Sequence, residues 1–304
     1  MTPGASAPTP GHPVDSELAD WVAGQRWFSG KGRRPDLLCI GTVPLASDEP
    51  GTAIQVTLLL DRSHPEQTLY QVPLTVRADP LLELAPILRG PDGGYLYDGP
   101  RDPAYPRALL SLIGGGQTRA EGAFRVTGEC QPDASLGSIR GSRVLSGEQS
   151  NTSIIVDSVA PDGTPQPLIC KIFRTLQPGL NPDVILQSAI ATAGSARVPR
   201  SVGQLIGEWP GTGADDTRVG HLAFLQEFLP GTEDAWRVAL HAVATAATRH
   251  TATWSKPIFI IVTPLDYTLG RDTVFDRRWF NRRWSRHCPR RHSGGRWMGS
   301  AAPA

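Results

Sequence analysis

Lys171 stands in the middle of Leu168-Ile169-Cys170-Lys171-Ile172-Phe173-Arg174, an apolar run with the pattern of a β-strand. Burying a lone ammonium in such a run is costly unless an anion meets it. Lysine is scarce in this chain: Lys31, Lys171 and Lys256 are the only three among 30 basic residues. Two readings follow. Strand alternation lets the ammonium point into water, or the strand holds it against an anionic ligand. Upstream lies Gly147-Glu148-Gln149-Ser150-Asn151-Thr152-Ser153, polar and small. A turn of this kind can lay backbone N–H groups over phosphates, although taken alone it equally describes a polar hairpin turn. It holds one glycine, Gly147, so it is not the glycine-rich loop of protein kinases. No Gly-Lys-Ser/Thr follows, so it is not a Walker A loop either. The chemistry that the turn and the lysine suggest together is the grip on a nucleotide polyphosphate.

The elements that must position these groups can be read from periodicity. Arg143–Leu145 and Ile154–Val156 flank the turn as short apolar segments. A second turn, Pro161–Gln166 with Asp162-Gly163 inside it, leads into the Lys171 strand. Asn181-Pro182-Asp183 opens a helix to about Ala193, with Pro182 at a tolerated first-turn position. Gly220–Leu229 is a further strand, ending at Pro230-Gly231, and 233–247 has a helical pattern. This order is that of a protein-kinase N-lobe. Further upstream, Leu18, Trp21 and Val22 lie one turn apart in a helix from Asp15 to Trp27, with Ser16 as its N-cap. Ala53–Leu60 and Thr68–Val76 read as two strands of a hairpin across the polar turn Asp61–Gln67. Gly90–Pro106 reads as loop, Tyr105–Ile113 as helix and Phe124–Gly128 as strand. Met1–Pro13 lacks the basic start and apolar core of a signal peptide and reads as a disordered leader.

The segments Gly147–Ser153, Cys170–Arg174 and Asn181-Pro182-Asp183-Val184 together resemble bacterial maltokinase. The resemblance extends to Gln25-Arg26-Trp27-Phe28, Tyr70-Gln71-Val72 and Leu109–Ile113 upstream, and to Phe224–Trp236 downstream, covering roughly 16–245. It implies an α+β protein. An N-terminal cap domain of mixed α/β structure with an antiparallel sheet (15–135) precedes a kinase-like nucleotide-binding N-lobe (136–231). The start of a helical C-lobe, related to aminoglycoside phosphotransferases, follows at 232–248. The implied activity is ATP-dependent phosphorylation of maltose to maltose 1-phosphate, feeding glycogen and α-glucan synthesis in the cytoplasm. The resemblance places Ser150, Asn151, Thr152 and Ser153 in the phosphate loop and Lys171 on the ATP phosphates. Gln226, Glu227, Phe228 and Leu229 become a hinge whose backbone meets adenine. It implies a Glu at position 185 to orient the lysine. This sequence has Ile185, which leaves Glu148 or Gln187 for that task.

Phosphoryl transfer also needs a group to position the acceptor hydroxyl and ligands for Mg²⁺. The family supplies these from a His-Gly-Asp and an Asp-Phe-Glu segment, and neither tripeptide occurs in this sequence. No catalytic residue and no Mg²⁺ ligand is therefore assigned. Residues 249–304 carry eleven basic residues against three acidic ones, whereas the net charge of the whole chain is +1. Arginines interleave there with Trp279, Trp284 and Trp297. One reading is an aberrant, disordered tail, the product of a lost reading frame near 245–255, replacing the helical lobe and leaving an inactive enzyme. The other is a basic arm on nucleic acid. The expected partners are ATP and maltose, and not nucleic acid. Self-association through the uncovered lobe face is expected as well. A nucleotide- or partner-binding module without catalysis is the alternative to an enzyme. The four cysteines have neither metal-ligand spacing nor a disulfide pattern, and no apolar run of about 20 residues is present to cross a membrane.

Overall fold

The structure, a computed structural model, describes residues 7–90, 93–146, 150–196, 198–211 and 216–231. The chain separates into two units, Met1–Pro264 and Leu265–Ala304, and every described residue lies in the first. The expected helix at 233–247 and the basic tail lie outside the described residues, as do Gly147, Glu148 and Gln149. Among the described residues the protein is β-rich, with three α-helices and two antiparallel sheets.

Helix α1 (Ser16–Gly24) buries Leu18, Ala19 and Val22. Its N-cap is Asp15, and Ser16 is the first helical residue rather than the cap. The helix also stops before Trp27. Gln25 is extended and donates its side-chain amide to Trp21 O at 3.0 Å. That exit frees Trp27 and Phe28 to lie on Tyr70, with ring centroids 5.7 and 5.5 Å away.

The first sheet is built on β2 (Thr52–Asp61), with β1 (Leu37–Leu45) along one edge. The other edge is shared by β3 (Thr68–Gln71) and β4 (Leu74–Arg77). The expected single strand Thr68–Val76 is thus two strands. Pro73 between them cannot donate to the ladder. Strands β5 (Leu88–Arg89) and β6 (Tyr95–Asp98) extend the sheet beyond β4. The expected loop Gly90–Pro106 therefore contains a strand, hidden by the Gly, Pro and Asp on either side. Strand β1 was also not legible: Gly41 and Pro44 interrupt its pattern. A Cβ on Gly41 would lie 2.9 Å from Phe124 Cβ, so the glycine permits the close approach of that ring.

Helix α2 (Ala104–Gly114) buries Tyr105, Leu109, Leu112 and Ile113 in a core that also draws Val43, Ile54 and Val56 from the first sheet and Ile154, Cys170 and Phe224 from the second. The second sheet contains β7 (Thr118–Glu121), β8 (Phe124–Cys130), β9 (Ser138–Val144), β10 (Asn151–Val159), β11 (Leu168–Phe173), β13 (Ser201–Pro210) and β14 (Thr217–Glu227). Their order in space is β7-β8-β13-β14-β11-β10-β9. Within 118–130, placed with the cap by the sequence, β7 pairs with β8, and β8 in turn pairs with β13 of this sheet through Arg125–Cys130. In return β12 (Thr175–Leu176), directly after the lysine strand, pairs with β3 of the first sheet. Helix α3 (Pro182–Thr192) lies in the connection between β12 and β13, as Asn181-Pro182-Asp183 led one to expect.

Candidate functional site

Lys171 is 3% exposed. The solvated-lysine reading is thereby overturned: β11 is an interior strand of the second sheet, with β10 on one side and β14 on the other. The Nζ atom lies 3.7 Å from Asp183 Oδ2, on the first turn of α3. The start of that helix is held at both its side chain and its backbone. Asn181 Oδ1 accepts from Asp183 N at 2.9 Å, and Asn181 N donates to His221 Nδ1 at 2.9 Å. Burial pushes the His221 pKa down, against an opposing pull from Glu129. The neutral ring that results can accept the Asn181 N–H.

Ile185, where the resemblance implies a Glu, is 48% exposed. Helix geometry explains why Asp183 takes the task instead. At about 100° per residue, positions 183 and 185 point to opposite sides, whereas 183 and 187 share a face. Gln187 does not meet the lysine itself. Its Nε2 donates to Asp183 Oδ1 at 2.6 Å, and its Oε1 accepts from Gln226 Nε2 at 2.8 Å. Gln187 and Gln226 are each 2% exposed. A buried polar row therefore runs Lys171, Asp183, Gln187, Gln226 across the sheet face.

The row is incompletely satisfied at one end. Lys171 Nζ and Asp183 Oδ2 are buried and make no hydrogen bond among the described residues, since 3.7 Å exceeds bonding distance. Buried ionic groups with unmet hydrogen-bonding capacity are rare and ask for a reason. Lys171 Nζ therefore keeps donors for which the described residues supply no acceptor.

The expected phosphate-loop residues divide between the two faces of β10. Ser153 pairs directly with Lys171 and Asn151 with Phe173, so both share the lysine's face. Thr152 is on the other face, where its hydroxyl accepts from Arg174 Nε at 2.8 Å. Its hydroxyl is thus engaged within the protein. Ser150 lies in the bend before the strand. At the expected hinge, Gln226 shares the lysine's face, while Glu227 is exposed. Glu227 N donates to Arg200 O and Phe228 N to Pro167 O, both at 2.9 Å. Those two amides are occupied within the protein.

Arg174 is a structural residue whose role escaped sequence reasoning. It is fully buried, donates to Asp98 Oδ1 at 2.7 Å and lies 4.9 Å above the Trp27 ring. Its carbonyl accepts from Gln71 N at 2.8 Å. The signal was present as an Arg closing an apolar strand, but its partners are distant in the chain. Nearby, Asp102 anchors α2. Burial works against its carboxylate, but hydrogen bonds from Arg77, Thr75 and Ala104 N outweigh that and hold it below the usual carboxylate range.

An antiparallel β-protein with a buried lysine–carboxylate pair and a polar row behind it is the class that fold and site define. Residues 21–102 match the family model of the maltokinase N-terminal cap domain. The match supports a relation to the maltokinase family and hence an association with a kinase. It spans Trp27, Gln71 and Asp98, the groups that clasp Arg174, and ends before the lysine site. Among the described residues no three His, Cys, Asp or Glu side chains gather as metal ligands. Nor is any helix there long and apolar enough to cross a membrane.

Proposed function

We propose that the second sheet and α3 bind ATP, with the polyphosphate at Lys171 beside Ser150–Ser153 at the start of β10 and the base near the end of β14. The observation that carries this reading is the buried Lys171 ammonium, paired with Asp183 yet lacking a hydrogen-bond acceptor among the described residues. Two further features support it. A lysine strand, a helix and the strand β14, with Pro230-Gly231 shortly after it, follow the order of a kinase nucleotide lobe. The cap match ties the preceding residues to a kinase family. Lys171 supplies charge to the phosphates, Asp183 orients Lys171, and Ser153 and Asn151 line the same face.

In the family the acceptor is maltose and the product maltose 1-phosphate, formed with Mg²⁺. The His-Gly-Asp and Asp-Phe-Glu segments for that step are absent from the sequence. The reading for this chain is thus nucleotide binding without appreciable transfer. Calorimetric titration with ATP, run beside a coupled assay for maltose phosphorylation, tests both halves. Binding that disappears in Lys171→Met, with no turnover, is the expected result. Absence of ATP binding sinks the proposal, and turnover at an ordinary kinase rate sinks its second half.

A further inference from the structure

The hydrogen bonds behind Lys171 run in one direction. The Asp183 carboxylate has no proton to give, so Gln187 must present its amide nitrogen to it, and Nε2 donates at 2.6 Å. Gln187 then has its carbonyl oxygen at the far end. Gln226 must answer with a nitrogen, and its Nε2 donates at 2.8 Å. The amide of Gln226 is therefore oriented with Oε1 at the end of the row. A negative charge on α3 sets the polarity of a side chain on β14, two amides away. Gln226 is 2% exposed and shares the lysine's face of the sheet. It immediately precedes the segment Glu227–Leu229 proposed to lie beside the base. In that segment the N–H groups of Glu227 and Phe228 are already engaged by Arg200 and Pro167, which leaves little there to distinguish one purine from another by donation.

We propose that Gln226 selects the base: its oriented Oε1 accepts from an exocyclic amino group, so the site favours a 6-aminopurine nucleotide over a 6-oxopurine one. This rests on the nucleotide-binding reading above. A 6-oxo group would set one acceptor against another in a buried setting. The lost bond and the unmet carbonyl make that the disfavoured ligand. Gln187 is the positioning residue of the arrangement, because without it the Gln226 amide is free to turn over and offer its nitrogen.

The test is calorimetric titration of the full chain with ATP and with GTP. It uses the wild type and the variants Gln187→Met, Gln226→Met and Lys171→Met, each checked for an unchanged melting transition. The wild type is expected to prefer ATP about tenfold, the worth of one hydrogen bond. Gln187→Met should strengthen GTP relative to ATP and bring the ratio toward one. Gln226→Met should bring the ratio toward one by weakening ATP. Lys171→Met should weaken both nucleotides and leave their ratio in place, which a general loosening of the site would not do. If Gln187→Met does not fold, Gln226→Met decides alone. ATP binding with an unchanged ratio in the folded Gln variants, or a wild type that prefers GTP, overturns base selection and leaves the nucleotide reading standing. A wild type that binds neither nucleotide overturns both.

Discussion

Replacing Asp98 by Ala should cost far more stability than its place near a sheet edge suggests. Asp98 Oδ1 holds Arg174 Nη2 at 2.7 Å, and the Arg174 side chain is wholly removed from solvent. With the carboxylate gone, the guanidinium keeps the neutral Thr152 hydroxyl and the face of Trp27, but no counter-charge among these contacts. Breaking a buried pair from one side costs roughly 3–5 kcal/mol. Arg101 contributes little to the balance. It lies 3.9 Å from Asp98 and is 60% exposed, so water screens it. At about 2–4 °C per kcal/mol for a body of this size, the melting transition should fall by roughly 6–20 °C. Urea denaturation, followed by tryptophan emission, provides the measurement. Arg174→Met, which retains packing against Trp27 but orphans Asp98, should also be costly. Asp98→Ala with Arg174→Met removes both charges of the pair and should cost well under the sum of the singles, by about 2 kcal/mol or more. Single variants that lose less than about 1 kcal/mol, or a double variant that is merely additive, would refute the claim that this pair clamps the two sheets together.

Asp183→Asn should weaken ATP binding by about tenfold or more, whereas Ile185→Glu should leave it unchanged; calorimetry separates the two. Ile185→Glu should also reduce self-association, read by sedimentation, because Leu180, Ile185 and Leu186 are exposed together around α3. Stability should decline in acid through His221. Its folded pKa lies below the ordinary 6.5, so its contribution is complete above about pH 6.5 and is lost as pH falls through the folded value. His221→Gln should flatten that part of a urea-midpoint profile between pH 5 and 7. Trp27→Ala removes the ring from Tyr70 and Arg174 and should cost roughly 3–5 kcal/mol in the same denaturation experiment.

Local pattern was most informative where one element carries its own signal. The β-branched run Ile154–Val156 and the apolar stretch around Lys171 are strands. Asn181 caps α3 through its own side chain, with Pro182 at the start, as those residue types prescribe. Pattern failed where a neighbour supplies the reason for a residue. Strand β13 carries Gly203 and Gly207, which interrupt any alternation. A Cβ on Gly207 would meet Leu222 at 2.8 Å, so the glycine answers to packing against β14. Similarly, Thr68–Val76 has the composition of one strand, and only its pairing with β2 shows the break at Pro73.

For the site, the sequence by itself determined that a lysine unusual in this chain would sit in an apolar strand, followed by a capped helix bearing Asp183 and Gln187. Burial makes such a lysine require an anion wherever it lies, so this much follows from residue type alone. Tertiary structure decided which anion. The phase of α3 turns Asp183 inward and Ile185 outward, and the register of β14 places Gln226 at the end of the row. It also decided that Thr152 and Ser153, adjacent in the chain, serve different ends. One faces Arg174 and, through it, Asp98, which lies 76 residues before Arg174. The other faces Lys171. Alternation along a strand assigns neighbours to opposite faces, but only the packing of the two sheets determines what each face meets.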